Sequence, residues 1–135
     1  NLNKLQVLTS LFMDLHWVSS LHGPPPLWSD SWNFSGPIPN GSSRGCYSLY
    51  SESELLYIGV AIDARINVRT TTYTKVAENG YPNISRPYNP TTEWESKGLK
   101  SIQTIGFPDP QWYLASALEK YLINELKPRY NKLGR

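Results

Sequence analysis

Within WYLASALEKYLINEL, near the end of the chain, Ala115, Leu118, Leu122 and Leu126 recur at helical spacing, and Glu119 falls inside that stripe beside Ala115, Leu122 and Ile123. A carboxylate on a core-facing side is costly unless a cation, a metal ion or hydrogen-bond donors meet it. Glu125 also lies near the stripe, so the pattern does not single out one carboxylate. Far upstream, Tyr47 and Tyr57 stand ten residues apart, each on a short run of β-forming residues bounded by a glycine. Between them and Glu119, Arg69 and Tyr73 would share one face of a helix at i and i+4. A phenol titrates near ~10, so a tyrosine serves as a base at neutral pH only with cations close by. Tyr81, Arg86, Tyr88, Trp94, Lys97 and Lys100 interleave rings with positive charge, a composition suited to nucleic acid. A solvated insertion with a few anchoring aromatics accounts for the same residues, and ordinary strand packing accounts for Tyr47 and Tyr57.

These groups need elements to position them. GCYSLYSESELLYIG, Gly45 to Gly59, reads as a β-hairpin whose turn is the polar break Ser51 to Glu54. Asp63 is a candidate cap for a following helix, although Val68 and four threonines make Val60 to Lys75 a poor helix former. Residues 78–100 are polar, contain Pro82, Pro87 and Pro90, and read as a long loop. SIQTIGF, Ser101 to Phe107, is the third strand. Asp109 at the cap and Pro110 at the first helical position open a helix that ends near Leu126, ahead of Pro128.

At the other end of the chain, Leu5, Leu8, Phe12, Leu15 and Val18 line one side of a helix that Gly23 and Pro24 to Pro26 terminate. That stripe either packs on the domain or forms the seam of a homodimer. Residues 23–44 are proline-rich and irregular, with Trp28, Trp32 and Phe34 pinning the segment down.

A length of 135 residues suits one ordinary domain, and 39% hydrophobic residues with 13% aromatics argue against disorder. A net charge of +2 permits contact with a phosphate backbone but confines any electrostatic footprint to a local patch. The single cysteine, Cys46, rules out an intrachain disulfide and agrees with a reducing, cytoplasmic setting. Two histidines and one cysteine are too few for a common zinc site. No run approaches the roughly 18 apolar residues of a membrane helix, so no membrane association is expected.

Gly45-Cys46-Tyr47 and Tyr57-Ile58-Gly59 resemble the two tripeptides that name the GIY-YIG nucleases. The resemblance extends to Glu119 and to Asn131, twelve residues later, within Lys127-Pro128-Arg129-Tyr130-Asn131, which looks like the family's closing segment. It covers roughly 44–133. The family's usual arginine position, eight residues after the YIG glycine, is here Asn67, with Arg65 and Arg69 two residues to either side. Arg69 is the better match because Tyr73 follows it at the spacing where the family often carries a histidine or tyrosine. Val60 stands where many members have lysine or serine.

The resemblance implies an α/β fold: a small mixed three-stranded sheet flanked by helices at 44–135, preceded at 1–43 by the N-terminal helix and proline-rich connection. It further implies an endonuclease that hydrolyses DNA phosphodiesters with Mg²⁺ or Mn²⁺ held by Glu119. Arg69 would neutralise charge on the phosphate, Tyr47 would act as base or water-positioning group, Tyr57 and Tyr73 would be its hydrogen-bond partners, and Asn131 would brace the site. Arg65, Arg86, Lys97, Lys100, Lys127 and Arg129 are the candidate substrate contacts. A stand-alone restriction-type or mobile-element enzyme fits the compact size. The alternative is a non-catalytic nucleic-acid-binding module of the same fold, which the displaced arginine and Val60 keep open.

Overall fold

Ser51 closes the hairpin as its turn chemistry requires. Its Oγ accepts the Glu54 N–H at 3.0 Å, and its own N–H donates to the Glu54 carbonyl at 2.9 Å. The strands on either side are β1, Arg44–Tyr50, and β2, Leu55–Ala61, paired antiparallel with Tyr47 opposite Gly59 and one irregularity between Leu49 and Tyr50. The computed structural model describes residues 2–76 and 88–131.

Strand β5, Ser101–Phe107, lies on the other side of β1, giving the order β2-β1-β5. The sheet is antiparallel throughout and not mixed as expected. Both neighbours of β1 oppose it because the long connection after β2 carries the chain back to the hairpin-turn end. There the Lys100 N–H donates to the Tyr50 carbonyl at 2.7 Å and Ser101 pairs with Tyr50.

That connection is not the plain loop expected for its second half. It opens with α3, Ile66–Arg69, and a 3-10 turn over Thr70–Thr72. Threonine hydroxyls bond back to carbonyls here, Thr70 to Ile66 and Thr71 to Val68, both at 2.7 Å, and a helix of threonines does not propagate. Arg65, not Asp63, precedes α3 at the cap position. Then β3, Thr74–Val76, pairs with β4, Tyr88–Pro90, as a separate two-stranded ribbon, and α4, Thr92–Ser96, buries Trp94.

Two cores sandwich the sheet. On one face Cys46, Tyr50, Ile58, Ile105 and Phe107 meet α1, Leu2–His16, and α5, Tyr113–Leu126, through Leu5, Phe12, Ala115, Leu118 and Leu122. On the other face Tyr47, Leu49, Ala61 and Ile102 meet Trp32, Phe34, Ile66, Tyr73, Trp94 and Leu99. Asp109 does not cap α5. Asp109–Gln111 form a 3-10 turn, α5 begins at Tyr113, and the Asp109 carboxylate makes an ion pair instead.

Helix α1 buries Leu5 and Phe12 as expected, but Leu15 is 79% exposed and Val18 is also exposed. The buried line continues through Thr9, Met13 and Trp17, because the helix ends at His16 and a second short helix, α2 at Ser19–His22, changes direction. Trp28, Trp32 and Phe34 are all buried and do pin the proline-rich segment, with the Trp28 indole N–H donating to Thr9 Oγ1 at 2.8 Å. The same segment covers the outer edge of β5: Trp32 and Ile102 exchange backbone hydrogen bonds at 2.8 and 3.0 Å. Among the described residues, no helix is long and apolar enough to cross a membrane.

Candidate active site

Gly59 explains how Tyr47 sits. The two residues face each other across β1 and β2, and the Tyr47 ring lies directly over the Gly59 Cα, in the space a Cβ would fill. Gly45 has the equivalent constraint on the other side, where a Cβ would collide with the Ile105 carbonyl of β5. Both tripeptide glycines are therefore places of close approach rather than turn residues. Gly59→Ala is expected to push the Tyr47 ring off its strand and lower any activity that depends on it by about 10²-fold. Comparing turnover with near-ultraviolet circular dichroism of the aromatic cluster checks this.

Tyr47 is 1% exposed, and its hydroxyl meets that of Tyr73 at 3.0 Å. The Tyr57 ring, half-buried, completes a cluster with centroids 6.5 Å from Tyr47 and 6.0 Å from Tyr73. Burial pushes both Tyr47 and Tyr73 above the ordinary phenol value, Tyr73 the more strongly, and Tyr73 rises further because it faces Tyr47. For Tyr47, the hydrogen bond from Tyr73 and the charge of Arg69 partly offset burial. Either hydroxyl can donate to the other, and Tyr47 is the one closer to ionising.

Arg69, exposed at the end of α3, brings its guanidinium beside the Tyr47 hydroxyl, where Tyr47, Tyr73 and Tyr57 favour its charged form. Arg65 points elsewhere: its guanidinium pairs with Asp109 at 2.6 Å and holds that carboxyl below its usual range, with Arg44 3.6 Å from the same carboxylate. Of the two arginines flanking Asn67, only Arg69 joins the tyrosines.

Glu119 is half-buried on α5, near Cys46 of β1. Burial raises its carboxyl above 4.5, while Lys120 and Arg69 pull it back. Among the described residues its carboxylate makes no hydrogen bond or ion pair, and no three His, Cys, Asp or Glu side chains gather into a metal cluster. The Cys46 thiol donates to the Ala115 carbonyl at 3.1 Å, and burial together with Glu119 pushes it well up, which leaves it inert as a nucleophile.

Asn131 does not face the tyrosine hydroxyls. Its Oδ1 accepts the Ile58 N–H at 2.8 Å and its Nδ2 donates to the Ile58 carbonyl at 2.9 Å, both buried. With the Tyr130 N–H donating to the Leu56 carbonyl at 2.9 Å, the tail covers the outer edge of β2 as a further strand would. Asn131→Ala strands both Ile58 groups. The expected loss is about 3 kcal/mol of stability, at 1–3 kcal/mol per buried unsatisfied group, measurable by urea unfolding.

The remaining candidate contacts are dispersed. Lys97 pairs with Glu93 at 2.9 Å and lies 4.4 Å from the Trp94 ring centroid. Arg129 grips Glu54 with two nitrogens, at 2.8 and 3.2 Å, tying the tail to the hairpin turn. Lys100 and Lys127 are exposed, Lys127 in a left-handed conformation (φ 47°) that ends α5. Arg86 lies outside the described residues. Trp94 enters the tyrosine cluster from α4, a role that its polar surroundings in the sequence did not signal.

Comparison of the chain with protein-family models, with curated proteins and with solved structures finds no match in any of the three.

Proposed function

We propose that the chain is a divalent-cation-dependent endonuclease acting on DNA phosphodiesters. The observation that carries this reading is Arg69, whose charge acts both on the Tyr47 hydroxyl and on the half-buried Glu119 carboxylate. A cation whose charge reaches both a hydroxyl pair and a carboxylate that makes no ion pair suits a phosphate group, which needs charge neutralised on its oxygens and a water delivered to phosphorus.

Glu119 fits Mg²⁺ or Mn²⁺. Mg²⁺ takes one or two carboxylates and completes its shell with water and substrate phosphate, and Glu119 is a carboxylate with no other partner among the described residues. When bound, such an ion would supply Lewis-acid stabilisation of phosphate charge and a more acidic water.

The chain's own groups do the rest. Arg69 draws the phosphate in and neutralises charge as the water oxygen bonds to phosphorus and the bond to the departing sugar oxygen breaks, the water's proton passing to solvent and the sugar oxygen taking one up from solvent. Tyr47 remains protonated at neutral pH, because burial outweighs Arg69. Its part is therefore to orient the attacking water, with the Tyr73 hydroxyl 3.0 Å away fixing its direction. Asn131 acts at one remove by holding β2, and with it Tyr57 and Gly59.

The test is incubation of purified protein with linear duplex and branched DNA, with Mg²⁺ or Mn²⁺ and with a chelator. Cation-dependent strand cleavage supports the endonuclease. Salt-sensitive binding without turnover supports instead a non-catalytic nucleic-acid-binding module, a reading favoured by Val60 and by the dispersed, largely paired basic side chains. Neither cleavage nor binding overturns both.

A further inference from the structure

Helix α4 belongs to the long connection between β2 and β5, and it is stitched to the tyrosine cluster by its backbone. The Thr91 N–H, at its start, donates to the Tyr73 carbonyl at 2.9 Å, and the Leu99 N–H, beyond its end, donates to the Trp94 carbonyl at 3.0 Å. This fixes Trp94, which is 6% exposed, in the middle of four other side chains. Its ring meets Tyr73 edge-on at 5.2 Å and 78°, Tyr57 at 5.7 Å and 63°, and Tyr130 at 5.8 Å and 78°. Lys97, one turn away on the same segment, lies over both the Trp94 and the Tyr130 rings, 4.4 and 5.0 Å from their centroids.

We propose that Trp94 is a positioning residue, setting the orientation of the Tyr57 and Tyr73 hydroxyls, and through Tyr73 that of Tyr47. Three properties make an indole suited to this. It is the largest rigid side chain, so it fixes its neighbours at little entropic cost, and edge-to-face contacts constrain ring angles as well as distances. It is itself buried and covers one side of Tyr73, whose hydroxyl meets that of Tyr47 at 3.0 Å. It also touches Tyr130, so the tail that braces β2 and the turn that carries Tyr73 meet on one ring.

This rests on the endonuclease reading, and the experiment separates the two. Trp94→Phe and Trp94→Leu are compared with wild type in steady-state DNA cleavage and in ultraviolet titration of tyrosine, which needs no substrate. The expected result is a fall in kcat of about threefold for phenylalanine and about 10²-fold for leucine, with KM unchanged. Tyrosine ionisation and the alkaline limb of the rate profile should move to lower pH in the same order, as water enters the cluster. If the leucine variant does not fold, the phenylalanine variant decides by itself. Unchanged kcat and an unchanged titration in a folded variant overturn the proposal, as does an effect confined to KM. A wild-type protein that cleaves no DNA overturns the function above, and the titration then still shows whether Trp94 sets the cluster.

Discussion

Arg69→Ala is expected to yield a folded protein that cleaves DNA about 10³-fold more slowly, a loss at the upper end for removing one preorganised charge donor. The side chain is exposed at the end of α3, so its removal leaves no cavity, and stability should change by no more than about 0.5 kcal/mol. The loss should fall on kcat, because the guanidinium stands beside the hydroxyl assigned to orient the attacking water. Arg65→Ala is the paired control. It breaks an exposed ion pair with Asp109, a kind of contact worth at most about 1 kcal/mol, and cleavage should stay within roughly fivefold of wild type.

The pH profile of Arg69→Ala carries a second expectation with a definite sign. Arg69 lowers the Tyr47 pKa against the larger effect of burial. Removing it leaves only the Tyr73 hydrogen bond to offset burial, so Tyr47 ionises at higher pH than in wild type, and the alkaline limb moves upward. Arg69→Lys should recover the alkaline limb better than the rate, since an ammonium restores the charge without the planar fork that grips phosphate. Equal losses in the Arg65 and Arg69 variants would remove the distinction between the two arginines and with it the site as drawn.

The choice between those arginines shows where the sequence stops being informative. The hairpin was legible because its signals are local: β-formers on either side of Ser51 to Glu54, and a serine able to accept two backbone N–H groups. The third strand and the final helix were legible for the same reason. Strand direction was not, since it depends on where a connection of many residues returns, and that is decided by packing. Spacing placed Arg65 and Arg69 symmetrically about Asn67. What separates them is Asp109, forty-four residues beyond Arg65, which pairs with it across the fold. The same carboxylate looked like a helix cap in the sequence, and the misreading has one cause: a local signal overridden by a distant partner. Trp94 was hidden in the opposite way, as one ring in a polar, proline-containing stretch with no periodicity to mark it as core. Glu119, by contrast, was visible as a carboxylate in an apolar stripe, and it remains partly buried without a partner among the described residues.

That isolation makes Glu119→Gln the variant in which activity and stability should move in opposite directions. Glutamine keeps the shape of the side chain but neither its charge nor its affinity for a hard cation, so cleavage should fall by about 10³-fold, the rate equivalent of several kcal/mol of Lewis-acid stabilisation. Stability at neutral pH should rise, because a half-buried carboxylate loses hydration on folding and Lys120 and Arg69 only partly offset the loss. The folded-state pKa lies above 4.5. Folding therefore takes up protons at this residue, a contribution fully present below the unfolded value and lost as pH rises through the folded one. Wild type and Glu119→Gln should thus be closest in stability at acid pH and diverge as pH rises to neutrality, with the variant unfolding at the higher urea concentration. Mg²⁺ or Mn²⁺ alone supplies an independent readout: at tenfold its Kd a cation bound only to the folded state adds about 1.4 kcal/mol. Wild type should gain that increment and Glu119→Gln should not. A variant destabilised at neutral pH, or one stabilised by the cation as much as wild type is, would mean that Glu119 is held by partners of its own and is not the residue that receives the metal.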